Sequence, residues 1–88
     1  MADEAALAAK ARDAIRAGRL PAKAANRTFG GPGNGTNCAV CGKPVTRSQM
    51  ELESEFNRHG TMPGLDRYHL HTKCFAAWET ERKRTGDE

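Results

Sequence analysis

Cys38-Ala39-Val40-Cys41 and His71-Thr72-Lys73-Cys74 are two pairs with the same three-residue spacing, 29 residues apart, and together they use every cysteine in the chain. Three thiols cannot all pair within one molecule, so disulfides alone do not explain the pattern. The chain has 88 residues and five aromatic side chains, Phe29, Phe56, Tyr68, Phe75 and Trp78. A chain so short rarely builds an adequate core from burial alone, and a staple is expected.

Each half of the constellation has a mechanical reason. In Cys38-x-x-Cys41-Gly42 both thiols lie on one side of a turn, and the glycine lets the backbone fold back. In His71-x-x-Cys74 at a helix start, residues i and i+3 share a face and reach one ion. A hairpin between the halves returns the second pair to the first. The result is the Cys₃His tetrahedral set that zinc takes in structural sites, so one structural Zn²⁺ is expected on Cys38, Cys41, His71 and Cys74. An iron centre, or buried cysteines without metal, are the alternatives. A redox dithiol would sit beside a βαβ pattern, which this sequence lacks. His69 shares a strand face with His71, so either can approach the ion. The spacing to Cys74 selects His71, leaving His69 as an outer support or a surface residue. His59, in a Gly/Pro loop, reads as surface.

Residues 3–17 read as an amphipathic helix, rich in alanine, with a thin stripe of Leu7, Ala11 and Ile15 flanked by Ala8 and Ala14. Gly18 is the expected C-cap, and Pro21 stops continuation. So narrow a stripe buries little, and the sequence leaves open whether the helix docks. The chain divides into this helical segment (1–20), a Gly/Pro-rich linker (21–37), a zinc-binding domain (38–84) and a short disordered tail (85–88). In the linker, Gly30-Gly31-Pro32-Gly33-Asn34-Gly35 lacks the strand before and helix after that a phosphate cradle needs, and Phe29 is its one anchor. Residues 50–56 alternate, with Met50, Leu52 and Phe56 facing one way and Glu51, Glu53 and Glu55 the other, as in a half-buried strand. Residues 66–70 read as the returning strand. Residues 72–84 read as a helix in which Glu79 and Lys83 form a surface pair. The expected mini-core is Val45, Leu52, Phe56, Leu70, Phe75 and Trp78. The fold class is therefore small α+β.

The formal net charge is +3, and all of the excess lies in residues 1–29. A modest basic arm touches an acidic partner or nucleic acid, or is simply a solvated helix face. Residues 1–10 do not read as a signal peptide, and no apolar stretch spans a bilayer, so a cytoplasmic setting with reduced thiols is expected. The triplets Asn26-Arg27-Thr28 and Asn34-Gly35-Thr36 then read as chance matches to a glycosylation signal.

The run Cys38-x-x-Cys41-Gly42-Lys43-Pro44-Val45, an alternating strand, then His71-x-x-Cys74-Phe75 resembles the first zinc-binding half of a LIM domain. More broadly it is similar to a treble-clef zinc finger, which implies a zinc knuckle, a β-hairpin and a C-terminal helix whose first turn supplies the last ligands. It also resembles a group of short bacterial zinc-binding proteins of uncharacterised role. The likeness covers residues 38–82 and implies fold and metal. A second LIM zinc site has no counterpart, so LIM partners do not carry over.

Four protein ligands leave no open position for water or substrate, so a non-enzymatic module is expected. The first functional reading is a protein-interaction or adaptor module whose three strand glutamates meet a basic partner. The second is a nucleic-acid-binding zinc finger using the basic N-terminal arm and Arg82-Lys83-Arg84, although the glutamates would repel phosphate. The third is an HNH-type nuclease with His69 standing for its catalytic histidine, although no asparagine and histidine follow in the final helix. Neither a membrane nor a small-molecule substrate is expected.

Overall fold

The computed structural model describes residues 4–58 and 64–84. The order is α1 (Glu4–Arg16), β1 (Arg27–Pro32), β2 (Met50–Arg58), β3 (Gly64–His71) and α2 (Thr72–Arg84). This is an α+β fold: an antiparallel sheet in the order β1-β2-β3, with a hairpin running directly into the C-terminal helix. His59 and the tail 85–88 lie outside the described residues. No helix among those residues is long and apolar enough to cross a membrane.

Helix α1 forms where alanine dominates, and it ends where Gly18 takes φ +80°. The Arg19 N–H reaches the Ala14 carbonyl at 2.9 Å and the Gly18 N–H reaches the Ile15 carbonyl at 3.1 Å, the two bonds of a Schellman cap. The thin stripe suffices for docking, because its small side chains let two helices approach closely. Ala11 and Ala14 are fully buried, and Arg12 Nε donates to Glu81 Oε1 of α2 at 3.2 Å. Helix α2 thus lies between α1 and the sheet.

The core is built on α2. Trp78 stacks edge-on against Phe56 of β2 at 5.9 Å, and Phe56 meets Tyr68 of β3 at 5.5 Å. Leu70, Val45, Val40 and Leu20 complete it. Phe75 packs at its margin, and Leu52 does not belong to it. Leu52 lies instead against the bare backbone of Gly30. The Glu79–Lys83 pairing expected on α2 is replaced by Glu79 with Arg82 at 2.6 Å, because the guanidinium folds over the Trp78 ring.

Residues 21–37 contain structure that the glycine run concealed. Strand β1 pairs with β2 from Arg27↔Glu55 to Pro32↔Met50, and Pro32 is tolerated because β1 is an edge strand. Phe29 does not anchor the segment: it is exposed, since it shares the face of the partner glutamates rather than that of Trp78. Both asparagines of the Asn-x-Thr triplets hold backbone. Asn26 Oδ1 accepts from the Asn57 N–H at 2.7 Å, and Asn34 Oδ1 accepts from the Thr36 N–H at 3.2 Å. At Gly33 the chain passes so close to the Val45 carbonyl that an added Cβ would lie 2.3 Å from its oxygen. Gly33→Ala is therefore expected to cost about 1–3 kcal/mol, the range for overpacking against unyielding atoms. Urea unfolding of the two chains measures it, and an unchanged midpoint would show that this crossing is loose.

Candidate metal centre

Three segments meet at one point. The turn 38–42 is tied by the Gly42 N–H to the Cys38 carbonyl at 2.9 Å, with Gly42 at φ +79°. Such a positive φ suits glycine, which has no Cβ to clash with the following carbonyl. The turn is hung on the sheet by the Ala39 N–H, which donates to the His69 carbonyl at 2.9 Å. That bond places Cys38 and Cys41 beside the end of β3, where His71 is the last strand residue. Cys74 follows in the first turn of α2. Ligand atoms of Cys38, Cys41, His71 and Cys74 all lie within 4.8 Å of one another. The Cys41 Sγ and the Cys74 Sγ stand 3.4 Å and 3.9 Å from His71 Nδ1.

The other ring nitrogen settles the tautomer. His71 Nε2 lies 3.2 Å from the Pro44 carbonyl and 3.2 Å from Gln49 Oε1. The Gln49 oxygen is identified by the Thr46 N–H, which donates to it at 2.9 Å. Both neighbours of Nε2 are acceptors, so Nε2 carries the proton and Nδ1 turns a bare lone pair toward the thiols. A metal-ligating histidine is normally held in this manner, by donation of its other N–H to a carbonyl.

The thiols are electrostatically crowded. A hydrogen bond from Cys74 holds the Cys38 thiol down to about 4, against the opposing effect of burial, and the Val40 N–H at 3.4 Å helps. The same bond, together with burial, pushes Cys74 above its ordinary value. Three thiolates so close require a cation to coexist, and a bound metal ion would displace the remaining thiol protons. The donor set of three sulfurs and one nitrogen is the one a structural zinc site uses, and these four residues could hold one such ion.

His69 is directed elsewhere. Its Nδ1 lies 2.8 Å from Glu51 Oε2, grouping it with Glu51 and Glu53 rather than with the sulfurs. Arg67 is 2.8 Å from Glu55 and 3.5 Å from Glu53. The glutamate stripe is consequently not the open acidic face that alternation suggested. Glu51 and Glu55 are buried, and each of the three has a cross-strand partner, Arg67 for Glu53 and Glu55 and His69 for Glu51. The basic surface is reduced in the same way: Arg82 is buried beneath its contacts with Glu79 and Trp78, and Arg12 is bound to Glu81. Gln49, which orients His71, escaped sequence reasoning. Its signal lay in position, one residue before the strand whose partner ends at His71.

Comparison of the chain with protein-family models gives no match, and comparison with curated proteins and with solved structures gives none of significance.

Proposed function

We propose that this chain is a structural-zinc module of the treble-clef type, acting as a small non-enzymatic interaction or adaptor protein. The observation that carries the reading is the convergence of three thiols with a histidine nitrogen whose lone pair faces them. Zinc suits the set better than iron here, because one imidazole and three thiolates close a tetrahedron without needing redox chemistry. The turn 38–42 plays the part of the knuckle, β2–β3 the hairpin, and α2 the closing helix. With four protein ligands the ion has no position for water or substrate, which supports a structural role over a catalytic one.

The nucleic-acid reading has less behind it, since two of its arginines are engaged within the fold. The nuclease reading would need His69 as a catalytic group, and that imidazole is spoken for by Glu51.

Metal analysis of His71→Ala and His69→Ala tests the assignment. The unaltered chain is expected to carry one zinc per molecule. His71→Ala is expected to weaken zinc by more than the roughly 10–100-fold that loss of an outer-shell support costs. His69→Ala is expected to retain the ion. Equal retention by both variants would remove His71 from the ligand set, and loss on His69→Ala alone would exchange the two histidines.

A further inference from the structure

Beside the metal centre the junction of α1, the turn 38–43 and the start of α2 leaves a groove of about 620 Å³. Leu7 and the largely exposed Met50 supply apolar surface, and Cys41, His71 and Cys74 of the candidate metal centre form its inner wall. Lys10, Lys43 and Lys73, from three separate segments, stand around it, all exposed. None of the described residues lining the groove is acidic. Among the described residues no carboxylate pairs with any of these lysines, whereas Glu53 and Glu55 face Arg67 and Glu51 faces His69. A divalent metal with three thiolates carries one net negative charge, which three ammonium groups outweigh.

We propose that this groove binds an acidic peptide segment, with one apolar side chain of the partner between Leu7 and Met50 and its carboxylates on Lys10, Lys43 and Lys73. The inference rests on the interaction-module reading and names the partner's chemistry, which is the opposite of the basic partner that the glutamate stripe suggested. The volume is that of a site for a few side chains, and methionine adapts its shape to an apolar guest. Three lysines from different segments give attraction from three directions, which sets orientation and encounter rate. A single nucleic-acid strand also seeks lysines, but it needs aromatic faces for its bases, and no Phe, Tyr or Trp among the described residues lines this groove.

The test uses the zinc-loaded chain and three fluorescent probes: a peptide of alternating glutamate and leucine, the same peptide with glutamine for glutamate, and single-stranded oligothymidine. The acidic peptide is expected to bind saturably, about tenfold or more tighter than the glutamine peptide, and to weaken as salt shortens the range of the lysine charges. The triple substitution Lys10→Gln, Lys43→Gln, Lys73→Gln is expected to lose about tenfold or more in affinity while keeping its zinc. Should that variant lose metal, Met50→Glu at an exposed position decides, and it too is expected to abolish binding. Equal affinity for both peptides, undiminished binding by the substituted chains, or tighter binding of oligothymidine would overturn the assignment. A chain that holds zinc and binds no peptide refutes the groove and leaves the zinc module standing. A chain without zinc refutes the module itself.

Discussion

Removal of the metal with a strong chelator is expected to abolish the fold as a whole, with loss of dispersed amide resonances and of most helical circular dichroism. The reason lies in where the ligands stand. Cys38 and Cys74 are 3% exposed and belong to the same buried cluster as Val40, Val45, Leu70 and Trp78. The core and the metal centre are therefore contiguous. Structural zinc sites are worth roughly 10–16 kcal/mol at neutral pH, while whole small domains are stable by only about 5–15 kcal/mol. The ion's contribution thus rivals the total. Without it, three thiols remain within 4.8 Å of each other, and at most some can be ionised. Cys74→Ser in the presence of zinc is expected to reproduce the chelated state, since it removes one of the four ligands and leaves the coordination set incomplete. Acid acts in the same direction. Metal binding would require the thiols deprotonated, so lowering the pH returns protons to them and is expected to drive the ion off. Restoring zinc under reducing conditions is expected to refold the chelated chain. A chelated protein with an unaltered spectrum would end the account, because burial alone would then be shown to suffice.

How much of this was legible beforehand differs by element. The four ligands could be read because sulfur and imidazole donors at three-residue spacing have few other uses, and the spacing survives whatever the loops do. Both helices and the β2–β3 hairpin were legible for a similar reason: alternation and helical periodicity are local signals. The choice between His69 and His71 was open, since parity puts both on one face. Spacing to Cys74 favoured His71, and the acceptors around its Nε2, Pro44 and Gln49, which tertiary structure brings in, support the same choice. Strand β1 was hidden because its glycines and proline carry no strand propensity. Its pairing is supplied by the open edge of β2, a partner distant in sequence, from Arg27↔Glu55 to Pro32↔Met50. The glutamates misled in the reverse direction. Their alternation gives the correct face, but sequence does not reveal that Arg67 and His69 lie opposite them. Register set Arg67 and His69 against an apparent acidic surface, while no carboxylate among the described residues pairs with Lys10, Lys43 or Lys73.

Truncation of Trp78 is expected to be the most damaging change outside the metal ligands, costing about 3–5 kcal/mol, as for large aromatic residues removed from cores. The side chain is fully buried and belongs to no single layer. It meets Phe56 of the sheet at 5.9 Å and Phe75 of its own helix at 5.6 Å, while Arg82 covers its ring at 5.7 Å. Its Nε1–H donates to the Pro21 carbonyl at 2.8 Å, fixing the chain just after α1. Trp78→Ala therefore opens a cavity where sheet, helix and N-terminal segment converge, and it leaves the Pro21 carbonyl without its donor. Trp78→Phe separates these effects. It keeps most of the ring packing and loses the hydrogen bond, a change worth about 1–3 kcal/mol when the partner is left buried. Guanidinium unfolding of the zinc-loaded chains should place the phenylalanine variant between the other two. Docking of α1 should weaken in both variants, seen as faster amide exchange at Ala11 and Ala14. Stability of Trp78→Ala within about 1 kcal/mol of the parent, a margin smaller than any buried aromatic normally allows, would mean that the metal centre holds the domain together with little help from its core.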